Sequence, residues 1–110
     1  MRLYKFRALV SLDGSEPEGP PRPYPSGTHS LMVRCSRLGE PAEQRYFPAA
    51  IYRTDDGSLN PGDKGVVVTI EIADDEACGF LGPGQRVTLW HGRDLGHGVI
   101  SRRVFSTWVP

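Results

Sequence analysis

The chain has 110 residues, enough for one hydrophobic core and too few for a core plus a sizeable accessory domain. Thirteen Lys+Arg balance thirteen Asp+Glu, so a formal net charge of zero excludes a global field that would draw the protein to nucleic acid or to a membrane surface, and any such contact has to come from a local patch. Arg outnumbers Lys eleven to two, which suits bidentate and stacking contacts where those side chains cluster and is equally compatible with codon bias.

The opening MRLYKFRALV breaks its apolar residues with Arg2, Lys5 and Arg7, leaving no signal-peptide core and nothing near the ~18 apolar residues of a spanning helix, so a cytoplasmic location with no membrane partner is expected. Tyr4, Phe6, Ala8, Val10 and Leu12 alternate with Lys5, Arg7, Leu9 and Ser11, which predicts a first strand with one apolar face, ended by Asp13-Gly14. From Ser15 to Gly27 the run SEPEGPPRPYPSG carries five prolines and no periodicity, and reads as a stiff loop of polyproline II character. Its PxxP spacings around Arg22 leave open a ligand for an aromatic groove.

His29 to Ser36 predicts a second strand with Leu31, Val33 and Cys35 inward, and Leu38 to Gln44 a polar connection. Tyr46 to Arg53 predicts a third strand in which Pro48, lacking a donor, requires an edge, a bulge or a break. Asn60 to Ile72 is the clearest stretch. Pro61-Gly62-Asp63 makes a turn in which the Asp carboxylate can accept from a nearby backbone N–H, and Val66, Val68, Ile70 and Ile72 then mark the dry face of a strand. After an irregular acidic and Gly-rich connection, Arg86 to Trp90 and Val99 to Trp108 predict two more strands, joined through the Gly-rich segment from His91 to Gly98. No window carries a capped 3.6-residue stripe, so the fold class is all-β, a small barrel with Phe6, Val10, Leu31, Val33, Val68, Ile70, Val87, Leu89 and Val99 in its core.

Chemistry-bearing constellations are sparse. Cys35 and Cys78 lack CxxC spacing and read as buried free thiols. His91, Asp94 and His97 flank the Gly-rich connector and leave open a small metal-dependent enzyme, although their spacing matches no established ligand pattern, and neither a metal nor another cofactor is expected. Neither GxxxxGK[ST] nor GxGxxG occurs, so nucleotide hydrolysis has no site. Arg34, Arg37, Arg86, Arg93 and the Arg102-Arg103 pair, interleaved with Tyr24, Tyr46, Tyr52 and Trp90, can form a local basic and stacking surface, though Arg102 and Arg103 point to opposite faces of a regular strand.

The order of these features resembles the C-terminal β-barrel of elongation factor Tu and related translational GTPases. YKFRALVSL looks like the family's opening strand, HSLMVRC like its apolar strand, NPGDKGVVVTIEI like its Pro-Gly-Asp turn and long Val/Ile strand, and RVTLWHGRDLGHGVISR like its penultimate strand, Gly-Arg turn and entry to the last strand. The resemblance implies a closed six-stranded antiparallel Greek-key barrel, and a surface that in the family contacts the T-stem of aminoacyl-tRNA, a neighbouring barrel and partner proteins. Of the family's RNA-contacting positions only the Gly92-Arg93 turn carries over, with Arg22 and Arg34 the nearest further arginines. The family's Gly-Gly-Arg-His loop is here Glu18-Gly19-Pro20-Pro21-Arg22, and these 110 residues hold no GTPase domain. The expectation is a stand-alone non-enzymatic interaction module binding a protein partner, or weakly an RNA or tRNA, with no DNA partner and with a structural homo-oligomer as a further possibility.

Overall fold

A computed structural model describes residues 2–13, 28–37, 39–55 and 57–108, with the side chains of 28–30, 41 and 103–108 excepted. The Pro-rich run with Arg22 and Tyr24 therefore lies outside the described residues.

Strand β1 (Arg2–Leu12) buries Phe6, Ala8, Val10 and Leu12 and turns Lys5, Arg7, Leu9 and Ser11 outward, as the alternation predicts. β2 (Thr28–Arg37) buries Leu31, Val33 and Cys35 in the same way. β3 (Glu40–Arg53), β4 (Val66–Ile72), β5 (Arg86–Trp90) and β6 (Asp94–Trp108) complete a closed antiparallel barrel in the order β1-β4-β3-β2-β5-β6. Closure gives every strand two neighbours and removes the free edges an open sheet would have to protect. Among the described residues the one helical element is a short 3-10 helix at Asp75–Gly79, and no helix is long and apolar enough to cross a membrane.

Three local devices set the chain path. In the turn before β4, Asp63 N–H donates to Asn60 O at 3.0 Å, Gly62 takes φ 86°, and the Asp63 carboxylate accepts from Asn60 N–H at 2.8 Å. Pro in the second and Gly in the third position of that turn are what its geometry needs. Arg53 then pins the β3–β4 connection, gripping the Asp55 carboxylate with two nitrogens at 2.8 Å and reaching Asp63 at 3.2 Å and Ser58 O at 3.0 Å. The hydrogen bonds from Arg53, then that from Gly57 N–H, hold Asp55 below the usual carboxylate range.

After β4, the 3-10 helix brings Ala77, Phe80 and Leu81 into the core, where Phe80 meets Phe47 edge-on at 5.3 Å. Arg45 fastens this segment to β3, bonding Asp74 at 2.7 Å and also Glu76. That helix was absent from the sequence reading, because five residues give no periodicity to detect.

Several boundaries differ from expectation. β3 begins at Glu40 rather than Tyr46 and runs through Pro48, which pairs with Met32 of β2 while the β4 ladder starts only at Ala50. Pro48 therefore sits where its missing donor leaves the β4 ladder intact, the edge-like position its chemistry requires. β6 begins at Asp94 rather than Val99, shortening the connector to His91–Arg93. Val99 is a correction: it is 41% exposed, and Ile100 occupies the core. Gly96 pairs with Leu12 and Leu89, and Gly98 with Val10 and Val87, so past Leu95, which is buried beside a register shift, the inward positions of β6 are 96, 98 and 100. Two of those are glycines, which leave no apolar side chain to reveal the phase. Cys78 is likewise half-buried rather than buried, whereas Cys35 is buried.

Candidate groove on the barrel wall

β2 and β5 pair over only three residues, Met32 to Arg34 against Trp90 to Thr88. Past that short ladder a groove of about 480 Å³ opens, lined by Arg34, Cys35, Ser36, Gln44, Arg86, Val87, Thr88, His97, Gly98 and Val99. Its rim is tied by Gln85 Nε2 donating to Ser36 O at 3.0 Å.

The register accounts for which side chains meet. Tyr46 of β3 faces Arg34 of β2, Arg34 faces Thr88 of β5, and Thr88 faces His97 of β6. Directly opposed residues share a face with Cβ atoms about 5 Å apart, so these four form one outward line across four strands. The Arg34 guanidinium contacts the Tyr46 hydroxyl at 3.4 Å, Thr88 Oγ1 at 3.4 Å and Asp94 Oδ2 at 3.2 Å, and lies 5.9 Å from the Tyr46 ring centroid. The Tyr46 hydroxyl first, and Asp94 after it, raise the Arg34 pKa. Tyr46 is 42% exposed and meets Trp90 edge-on at 5.5 Å.

Among the described residues no carboxylate lines the groove. Asp94 lies beside it, engaged by Arg34, and among the described residues Arg86 and His97 make no side-chain hydrogen bond or ion pair. A concave surface with hydroxyl, amide and guanidinium donors and no acid is suited to hold an anionic group. It is poorly suited to nucleophilic catalysis, because burial pushes the Cys35 thiol up to about 12 and keeps it protonated.

The structure joins part of the expected surface. Arg34 is brought to the β5–β6 hairpin through Asp94, next to the Gly92-Arg93 turn; Gly92 takes φ 75°, His91 N–H donates to Arg93 O at 2.9 Å, and Arg93 is half-buried. Gly92 thus has a structural duty in the hairpin, whatever it binds. Arg37 departs from the group, lying over Phe80 at 5.0 Å and pairing with Glu43 at 3.1 Å. Arg102 is exposed on the outer face of β6, and the side chain of Arg103 lies outside the described ones. The three members of the possible metal turn have separate positions: Asp94 bonds Arg34, His97 faces Thr88, and His91 stands in the exposed turn. Among the described residues no three of His, Cys, Asp and Glu cluster as metal ligands would.

Ser36, Gln44, Thr88 and the role of His97 in this groove were missed. The outward phase of β5 was visible in Arg86 and Thr88, but their neighbours come from pairing residues more than fifty positions apart, for example Arg34 with Thr88. No known protein family, curated protein or solved structure matches the chain.

Proposed function

We propose that this chain is a non-enzymatic interaction module that binds a protein partner through the barrel wall formed by β3, β2, β5 and β6. The observation that carries this reading is the Tyr46–Arg34–Thr88–His97 line with Trp90 beside it, at the lip of a groove with no carboxylate among its described lining residues. Arg, Tyr and Trp are the side chains that most often supply binding energy at protein interfaces, Tyr and Trp because they cover large areas at low entropic cost and Arg because its fork makes several charge-assisted hydrogen bonds at once. Arg34 is already oriented by three partners, so little freedom is lost when a ligand engages it. The likeness to the elongation factor Tu barrel supports the same reading, since that family uses this domain to hold other macromolecules. On that view the chain path is the family's Greek key and the module works in the cytoplasm.

Affinity capture from a lysate of the source cells tests this, with wild-type bait, nuclease-treated extract and an Arg34→Ala/Tyr46→Ala double variant whose fold is checked by circular dichroism. The expected result is a protein retained by wild type in nuclease-treated extract and released by the double variant. Capture that requires intact RNA, or that is indifferent to the double variant, overturns the reading.

A further inference from the structure

The outer face of β4, β1 and β6 carries an exposed aliphatic line. Val67 faces Leu9 and Leu9 faces Val99, and the three are 39%, 47% and 41% exposed. Outward positions on a barrel wall are ordinarily polar, and scattered single apolar residues need no explanation, but three in register on adjacent strands make one continuous patch. Its surroundings are basic. Arg7 faces Arg102 across the β1–β6 ladder on one side, Arg86 faces Val99 at the far end, and His97 stands two residues before Val99 on the same face of β6.

Like charges placed directly opposite each other are destabilising. Among the described residues Arg7, Arg86 and Arg102 have no carboxylate partner, and Arg7 Nε is buried without a hydrogen-bond acceptor. Elsewhere on the barrel the same problem is resolved internally, as in the Lys5–Glu71 pair at 3.4 Å and the Arg45–Asp74 pair at 2.7 Å. Here, among the described residues, the three arginines have no acid beside them, and they surround an apolar centre that runs into the groove through Val99, Arg86 and His97.

We infer that this patch is the receptor for an acidic protein segment that lays an aliphatic side chain on Leu9 and Val99 and directs carboxylates to Arg7, Arg102 and Arg86. The inference rests on the reading of the chain as a protein-binding module and specifies the chemistry of its partner. The charge complement sets the sign of the ligand, and the side chains of the patch set its class. A nucleic acid would meet the same arginines, but Leu9, Val67 and Val99 offer no aromatic face for a base, and the Tyr46 ring is already under Arg34 and met by Trp90. A segment with acids on either side of a Leu or Ile satisfies both halves of the surface. The Arg7 guanidinium gains the carboxylate partner that it lacks among the described residues.

The test uses ¹⁵N-labelled protein titrated with three probes at matched charge concentration: a Glu-Leu-Glu-centred acidic peptide, the same peptide with the Leu replaced by Ser, and a single-stranded oligo(dT) of similar length. We expect the acidic Leu peptide to shift the amides of Arg7, Leu9, Val99 and Arg102 saturably, and the Ser version to bind at least about fivefold more weakly. Arg7→Gln and Leu9→Ser, each confirmed folded by its spectrum, should each reduce the affinity by about tenfold. The inference is overturned if the oligonucleotide binds this patch more tightly than the peptide, if Leu and Ser peptides bind alike, or if Arg7→Gln and Leu9→Ser leave binding unchanged. If the partner captured through Arg34 and Tyr46 is retained equally by Leu9→Ser bait, this inference fails and the module reading stands; if wild-type bait itself captures no protein from nuclease-treated extract, the module reading fails.

Discussion

Cys35 lines the groove yet is only 4% exposed, and burial raises its thiol from an ordinary value of 9.0 to about 12. The folded chain therefore holds this proton where the unfolded chain releases it. The associated stability is complete below about pH 9 and declines as the pH climbs toward 12, because the unfolded state binds fewer protons over that window. Comparing wild type with Cys35→Ala in denaturant melts between pH 8 and pH 11 cancels whatever the two proteins share and leaves the contribution of Cys35. The wild-type slope should be steeper by up to about 1 kcal/mol per pH unit; parallel slopes would show a thiol that titrates normally. At pH 8 the native protein should also be alkylated at Cys78 well before Cys35, which mass spectrometry reads directly. The inward position of Cys35 was legible from its alternation with Leu31 and Val33, since burial follows from strand phase alone. Its place on a groove wall was not, because the groove exists only where β5 parts from β2.

The same division between local and non-local holds for whole elements. β4 and β5 sit where β-branched alternation places them, and the Pro61-Gly62-Asp63 turn makes the carboxylate-to-backbone bond expected of it. β6 shows what alternation cannot reveal: Leu95 is buried at its start, but with Gly96 and Gly98 at the inward positions that follow, no apolar side chain marks the phase between Leu95 and Val99, and Val99 rather than Ile100 is taken for the core residue. Those glycines are there for contact. A Cβ on Gly96 would lie 2.2 Å from Ser11 O and 2.9 Å from Leu12 Cα, and one on Gly98 would lie 2.8 Å from Leu9 O. β6 closes the barrel by bonding both β5 and β1 over this stretch, so the close approach belongs to the closure itself. Gly96→Ala has to push backbone away from backbone and should cost about 3 kcal/mol or more, at or above the upper end of overpacking effects. Gly92→Ala, whose Cβ meets nothing within 4 Å and whose φ is 75°, should cost about 1–2 kcal/mol from the left-handed backbone alone. Urea midpoints for the two variants check the order; a larger loss at Gly92 would mean the β1–β6 approach is looser than described.

At the scale of the whole molecule, all-β architecture, strand number and barrel closure were legible, because alternation and frequent turn residues leave few other ways to bury one apolar face per strand. The distribution of charge was not. A net charge of zero conceals an unequal surface, with acids gathered around Arg45 and Arg53 and arginines left over around Leu9 and the groove. That arrangement bears on RNA. If a tRNA used the groove and hairpin, the arginines there among the described residues are Arg34, Arg86 and Arg93, and Arg34 is shared with Asp94 at 3.2 Å. Two or three neutralised phosphates give a log–log salt slope of about −1.4 to −2.1 at roughly −0.7 per contact, too little to sustain tight binding by counterion release. In about 0.15 M salt, where exposed charges are screened beyond about 8 Å, charges farther than that from the bound phosphates add almost nothing. A titration of labelled aminoacyl-tRNA at that salt should therefore give no submicromolar binding. Submicromolar affinity that collapses on Arg93→Ala would place an RNA surface at the β5–β6 hairpin, and the preference for a protein partner would have to be withdrawn.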